Sequence, residues 1–504
     1  MSLFSKLARS SSFSLLDQAV KLGFLFVTTP LMVSRLGEEN YGTWLLALAI
    51  VAYFRLLDLG LSFSGARFLG RALGAKNRDE VEDLLHTLHR LFVGIGLLVV
   101  TLAALAAFVM PIFFEDPAMG KMMRILIGGF GLATAIRFFT RIFEVILKSH
   151  VRYDLISIAS FLKVTIQGSL IIFFLLQGYG LFALLVIYLV SDLLDQLLLF
   201  VFARRLETIS PIPSGQRTID RKQLPELLKY SATAVAASTG QSLRGGVDPL
   251  IIAPVSGVAM VPVYGIGARF LSVFTDIINA IFGGSFVAAF SQVHGRNDTD
   301  LLERSFLTSI RYCAAIAALG GCALLFYGPA FIQRWVGEGF ADSGKVLVIL
   351  TFPTVCALAQ YPIWSFFYSQ NKQALLAYLT LGGGVFNLLL SLILAQQIGF
   401  FGVVWATFVE MILAYALLVP WMVTRVSAIP IGKYLSAILS PVLKVAAFSL
   451  LYFLLIYNQI APDYFRLLLL GMGHLVFLLP IFWFLVLEST DRQRLLALFI
   501  RGNR

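Results

Sequence analysis

Runs of 18–25 apolar residues follow one another along this chain, separated by short polar clusters. A helix needs about 20 apolar residues to cross the hydrocarbon core of a bilayer. Period-two alternation, the mark of transmembrane barrel strands, is absent. The pattern predicts an all-α polytopic membrane protein with about 14 transmembrane helices, near 12–33, 41–66, 91–110, 125–147, 155–176, 181–203, 230–253, 263–291, 305–328, 346–369, 374–396, 401–424, 438–457 and 467–487.

Orientation is set by Lys and Arg in the connections. Segments 1–11, 67–90, 148–154, 204–229, 292–304, 370–373, 425–437 and 488–504 hold 24 of them, and the alternate set holds 6. Both termini are therefore expected in the cytoplasm. Connections on the opposite side reach at most 17 residues, too few for a folded domain. Segment 204–229, with Pro211, Pro213, Ser214, Gly215 and Pro225, reads as a cytoplasmic linker between bundles 1–203 and 230–424, leaving two extra helices and a basic tail in 425–504. A weak repeat supports this division. Pro30-Leu31 and Pro249-Leu250, Tyr41-Gly42 and Tyr264-Gly265, Leu84-Leu85 and Leu301-Leu302, Pro111 and Pro329, Gly180 and Gly399 recur in order at offsets of 217–223. The expected architecture is two pseudo-symmetric six-helix bundles plus two C-terminal helices.

Composition agrees. The chain is 59% hydrophobic and 13% charged, with a mean hydropathy of +0.86, against about 45–50% apolar and 25% charged in soluble domains. The net charge of +11 is accounted for by topology, so nucleic acid is not an expected partner. Cys313, Cys322 and Cys356 fall inside spans without metal-ligand spacing, so neither disulfide nor metal is expected. The N-terminal apolar stretch carries Asp17 and Lys21 and no A-x-A site, which favours a retained span over a signal peptide. His86 and His89 read as one face of an amphipathic membrane-surface segment at 79–90. Asp298-Thr299-Asp300 has the D-x-D spacing of sugar transferases but no nucleotide-binding domain around it. No P-loop is present, so no cofactor is expected and transport would not use ATP hydrolysis by this chain.

Leu36-Gly37-Glu38-Glu39-Asn40-Tyr41-Gly42-Thr43-Trp44, then Leu57-Asp58-Leu59-Gly60-Leu61 and Arg67, resemble the opening of the Wzx-type O-antigen and polysaccharide flippases. These belong to the multidrug/oligosaccharidyl-lipid/polysaccharide (MOP) superfamily, whose six-plus-six layout the whole chain resembles. The resemblance implies a V-shaped pair of bundles around a central cavity lined by spans 1, 2, 7 and 8, open alternately to each side of a bacterial plasma membrane. It implies an undecaprenyl-pyrophosphate-linked oligosaccharide as substrate, flipped from the inner to the outer leaflet, with H+ or Na+ as a possible coupling ion. A lipid II flippase and a drug/cation antiporter of the same superfamily are the alternatives. A membrane polymerase or ligase, which would be an enzyme, needs a large outer loop that this chain lacks.

The spans contain nine cations and eight acids. Each such group costs at least about 2.5–3.5 kcal/mol in lipid, so it must face protein or water. The four expected lining helices each carry one cation and one acid on a shared face: Lys21 with Asp17, Arg55 with Asp58, Arg244 with Asp248, and Arg269 with Asp276. The cations are candidates for contacting pyrophosphate and sugar, and the acids for tuning or releasing them. Internal ion pairs that hold the bundle together are the competing reading. Asp192 and Glu410 sit at matching depth in the two halves and are either coupling acids or partners for cations such as Arg137 or Lys163. Arg137, Arg141 and Glu144 are expected to form one stripe on span 4, and Arg311 and Lys444 to snorkel near the inner boundary.

Topology is directly testable. Reporters fused after Arg504 and within 204–229 are expected to read as cytoplasmic, and one within 397–400 as external. An external reading after Arg504 would mean a span count wrong by an odd number.

Overall fold

Lipid offers the backbone no hydrogen-bond partner, so a spanning segment must satisfy its own N–H and C=O groups, which a helix does. The computed structural model describes residues 3–114, 116–206, 238–282, 284–295, 298–427, 429–461, 463–487 and 492–493, and every regular element among them is helical. Thirteen helical stretches are long and apolar enough to cross a membrane, and they match the expected spans 1–6 and 8–14 one for one. The start of expected span 7, nearly all of the expected linker and most of the basic tail lie outside the described residues.

Two compact units emerge, Met1–Ser242 with Ile252–Pro262, and Leu243–Ile251 with Val263–Arg504. The first holds α1 (Leu3–Leu36), α2 (Glu38–Ala52), α3 (Leu61–Gly74), α4 (Arg78–Val109), α5 (Pro117–Phe139), α6 (Arg141–Ser149), α7 (Tyr153–Leu176) and α8 (Leu181–Arg204). Segment 238–245 (α9) and α10 (Asp248–Ser256) contribute residues to both. The second unit continues through α11 (Met260–Phe282), α12 (Gly284–Gly295), α13 (Thr299–Val336), α14 (Ala341–Ala359), α15 (Ile363–Ser369), α16 (Gln373–Ile398), α17 (Phe400–Ile412), α18 (Val419–Val426), α19 (Ile431–Ile456) and α20 (Tyr464–Ile481).

The same neighbours pack in both units. Helix α4 lies on α5 as α13 lies on α14; α7 on α8 as α16 on α17; α5 on α8 as α14 on α17; α3 on α6 as α12 on α15. The sequence repeat thus reappears as a repeated packing order. Helices α19 and α20 stand outside it and pack against α13.

Helices in lipid gain little by hiding apolar surface from an equally apolar solvent, so small residues that permit close approach decide which faces meet. Gly131 of α5 abuts Ala103 of α4, and Gly96 of α4 abuts the Phe139 ring. Gly168 of α7 receives the Phe24 ring of α1. Gly321 and Gly328 of α13 meet Val355 and Leu347 of α14. The inner part of the second unit is aromatic: Phe306 stacks on Phe366 at 4.0 Å, with buried Tyr434 beside them.

Three local expectations are corrected. Span 2 is not one helix. A 3-10 turn, Tyr53–Asp58, succeeds α2, and Leu59 and Gly60 take positive φ of 47° and 69° before α3 begins. Glycine tolerates that conformation, and Leu-Gly placed there ends the first helix. Span 4 likewise breaks at Thr140, so Arg137 and Arg141 stand on different helices. The expected surface segment at 79–90 is instead the start of the continuous helix α4, with His86 and Thr87 buried. The Asp298 carboxylate caps α13, accepting the Leu301 N–H at 2.9 Å, which is the role of the D-x-D motif here.

Close-approach glycines should be intolerant and open ones tolerant. Gly131→Leu and Gly321→Leu are expected to lower stability by about 1–3 kcal/mol through overpacking. Gly128→Leu and Gly382→Leu, which meet nothing within 4 Å, are expected to be near neutral. Unfolding temperatures in detergent would check this.

Candidate functional site

In the first unit the charges converge on Asp192 of α8, which is 1% exposed. Arg137, from the last turn of α5, places Nε 2.8 and 2.9 Å from its two oxygens and brings Nη2 to Oδ1. Lys163 of α7 adds its Nζ at 2.6 Å. One carboxylate therefore ties three helices together, and the ring of Tyr188 lies 5.8 Å from the Lys163 ammonium. At the helix break, Thr140 donates to Gln196 of α8 at 2.6 Å. Beyond the break, Arg141 and Lys148 each reach Glu144 at 2.7 Å.

The second unit places Arg244 in α9, 8% exposed, against Glu410 of α17, 1% exposed. Arg244 Nη2 donates to Glu410 Oε1 at 2.6 Å, and Nη1 donates to the Tyr415 hydroxyl at 3.2 Å. Asn387 of α16, with its amide oriented to satisfy both ends, donates to the Arg244 carbonyl at 3.2 Å and accepts from the Thr407 hydroxyl at 3.1 Å. Room for the guanidinium comes from Gly383, where a Cβ would fall 2.9 Å from Arg244 Nη2 and overlap the Glu410 carboxylate. The glycine run in span 11, readable as a packing surface, is here the floor of an ion pair. Arg244 Nε and Glu410 Oε2 are buried and unused among the described residues.

The expected Arg244–Asp248 pair does not form. Helix α9 stops at 245, and Gly246-Val247 separates it from α10, so the two residues are not on one helical face. Asp248 opens α10, is fully buried, and accepts from the Tyr264 hydroxyl, leaving Oδ1 without a partner among the described residues. A carboxylate at a helix start also gains from the helix dipole. The expected Arg55–Asp58 pairing is corrected too. Asp58, the last residue of the 3-10 turn, turns to the start of α3 instead, accepting from Ser62 Oγ at 2.5 Å with Arg141 Nε at 3.7 Å. Arg55 is left exposed, with no ion pair among the described residues. Lys21 and Asp17 do pair, at 2.6 Å, with Lys21 41% exposed and Asp17 buried. Arg269 and Asp276 are both exposed and form no ion pair among the described residues, being two turns apart on α11.

Sequence reasoning placed Asp192 and Glu410 at equal depth; the structure adds that both are gripped by arginine, on α8 and α17, which pack equivalently. It missed Tyr264, Asn387, Thr407 and Tyr415. Only Tyr264 had a signal, through its place in the repeat.

The sequence profile of the polysaccharide biosynthesis protein family matches residues 32–345, more than half of the chain. The chain belongs to this family. It is also similar to the uncharacterized membrane protein EpsK of Bacillus subtilis (strain 168), at 21% identity over 437 residues, covering 84% of this chain and 83% of EpsK. Its fold is shared with the lipid II flippase MurJ in an inward closed conformation, with a TM-score of 0.67 and 14% identity over 94% of this chain and 98% of that one. It is shared as well with an inward-facing multidrug resistance MATE transporter of the MOP superfamily, with a TM-score of 0.64 and 16% identity over 82% and 99%. The polysaccharide-family likeness seen at residues 36–67 agrees with this family, whose profile begins at residue 32, and the expected fold agrees with that of the two solved structures.

Removing one partner from a buried ion pair strands the other at a cost of about 3–5 kcal/mol. Asp192→Asn, which leaves Arg137 and Lys163 uncompensated, is expected to reduce thermal stability and membrane abundance. Adding Lys163→Met should restore part of the loss, measured by thermal unfolding in detergent.

Proposed function

We propose that this family member is a flippase, moving an undecaprenyl-pyrophosphate-linked oligosaccharide, such as an O-antigen or exopolysaccharide repeat unit, from the inner to the outer leaflet of a bacterial plasma membrane by alternating access. The observation that carries the reading is the state of Arg55 and Arg269. Both are cations within spans, both are exposed, and neither has an ion-pair partner among the described residues. A charge so placed needs water or an anionic ligand. Guanidinium groups suit pyrophosphate because their N–H fork matches two phosphate oxygens at once. Lys21, exposed beside Asp17, supplies a third cation near the start of the path. A drug/cation antiporter would instead offer carboxylates without cations.

Arg244 has a different part in this scheme. It reaches substrate only when Glu410 releases it, and a proton or cation taken up by Glu410 would loosen that hold. Asp192, held by two cations, serves chiefly to fix α5, α7 and α8. Coupling would then reside in the second unit.

In proteoliposomes carrying a labelled undecaprenyl-pyrophosphate oligosaccharide, Arg55→Ala with Arg269→Ala is expected to slow flipping by at least about tenfold, the loss of one charge-assisted contact or more. Membrane abundance should hold. Glu410→Gln is expected to keep substrate binding but to remove dependence on the ion gradient. Unchanged flipping in the Arg55/Arg269 double variant would overturn the phosphate-contact reading.

A further inference from the structure

Gln360 stands in the break between α14 and α15 and is 3% exposed. Pro362, also in the break, lacks the N–H that a continuing α-helix would send back to Leu358. The backbone tightens there: the N–H groups of Gln360 and Tyr361 reach back three residues, to Ala357 and Leu358. The Cys356 carbonyl thereby loses its helical donor, and Gln360 Nε2 supplies one at 2.9 Å. A second carbonyl is open for a like reason. Leu413–Leu418 is π-helical, and the Val419 N–H reaches five residues back to Ala414. The next donor in that register would be residue 420, which is proline, so the Tyr415 carbonyl needs another partner. Gln360 Nε2 donates to it as well, at 2.7 Å. The Gln360 oxygen accepts from the hydroxyl of Tyr434 of α19 at 2.9 Å, so both ends of the amide are engaged.

Tyr415 also holds Arg244, accepting from its Nη1 and placing its ring 5.6 Å from the guanidinium carbon. One residue thus meets Gln360 through its carbonyl and Arg244 through its side chain. Where its backbone is held decides how firmly Arg244 stays on Glu410. The first unit offers the comparison. Thr140 and Gln196 precede Gln360 and Tyr415 by 220 and 219 residues, within the offsets of the repeat. They too join the helix break to the acid-bearing helix, but side chain to side chain on the regular helix α8. In the second unit the bridge ends instead on a π-helical carbonyl whose own side chain grips the cation. Such π turns recur at functional sites.

We propose that Gln360 is a positioning residue for coupling: bridging the α14–α15 break, the π-helical stretch and Tyr434, it keeps Tyr415 on Arg244 and Arg244 on Glu410 until the coupling ion arrives. The role rests on the reading of Glu410 as the coupling acid. It also gives α19, which lies outside the repeat, a path to the ion pair through Gln360 and Tyr415. Without the amide, Arg244 is freed more readily and flipping depends less on the ion.

The test uses the full chain in proteoliposomes with a labelled undecaprenyl-pyrophosphate oligosaccharide, comparing flipping with and without a proton or sodium gradient. Gln360→Met, similar in size but without the amide, is expected to cut the gradient's stimulation of flipping about fivefold, roughly the worth of one buried hydrogen bond. The half-saturating substrate concentration should not move. Tyr415→Phe is expected to act alike, and the double variant to lose no more than either alone. Should Gln360→Met fold poorly, Tyr434→Phe removes one hydroxyl, keeps the ring, and is expected to shift coupling the same way by a smaller factor. Thr140→Val, at the equivalent place in the first unit, is expected to leave stimulation unchanged. Hydrogen exchange across 413–419 in detergent should quicken in Gln360→Met, a readout independent of transport. Full stimulation in Gln360→Met and Tyr434→Phe, alongside its loss in Glu410→Gln, would overturn the positioning role and leave the coupling reading intact. Additive losses in the double variant would also overturn it, since they mark two independent structural contacts. Stimulation retained in Glu410→Gln would overturn the coupling reading itself, and this role with it.

Discussion

A polar group left unpaired in hydrocarbon costs several kcal/mol, and most of this structure can be read as the set of solutions to that constraint. The backbone solves it by being helical. Side chains solve it by finding partners on neighbouring helices, and those partnerships fix which faces meet. Asp192 shows the consequence: one buried carboxylate draws Arg137 from α5 and Lys163 from α7 onto α8. Where the backbone itself breaks, a polar side chain stands ready, as Asp58 does for Ser62 at the start of α3 and Thr140 does for Gln196.

The two units meet the same constraint by different chemistry at equivalent places. Lys163 and Gly383 are 220 residues apart, within the offsets of the repeat. In the first unit that position supplies an ammonium to the acid. In the second it supplies nothing but space, which Arg244 enters from α9 to reach Glu410. An acid held by two cations on regular helices is a rigid clamp. An acid held by one arginine, on a segment interrupted by Gly246-Val247, with an unused carboxylate oxygen and an unused Nε, is easier to open. The proposal that coupling resides in the second unit and that Arg55 and Arg269 meet the phosphates rests on this asymmetry and on the exposure of those two arginines.

Helix packing obeys a related logic. Because lipid competes for apolar surface, contact depends on shape, and glycines facing Ala103, Val355 and Leu347 let backbones approach where larger residues would hold them apart. Large exposed side chains such as Phe465, Leu455 and Leu479 on α19 and α20 are ordinary in that setting, since an apolar solvent makes no demand that they be hidden.

The spans, their number within the described residues, the repeat, and the family likeness were legible in the sequence because hydropathy and short motifs are local properties: each run of apolar residues reports its own environment. The presence of paired charges inside the spans was legible for the same reason, and so was the equivalent place of Asp192 and Glu410 in the repeat. Which charge meets which was not. Spacing along one helix suggested Arg244 with Asp248 and Arg55 with Asp58, but the chain breaks at Gly246-Val247, between the first pair, and the Asp58 carboxylate is taken by Ser62 and Arg141 from other helices. Arg244 found Glu410, 166 residues away, and Asp248 found Tyr264. Ion pairs act through space over a few ångströms, so only the tertiary arrangement of helices could decide them.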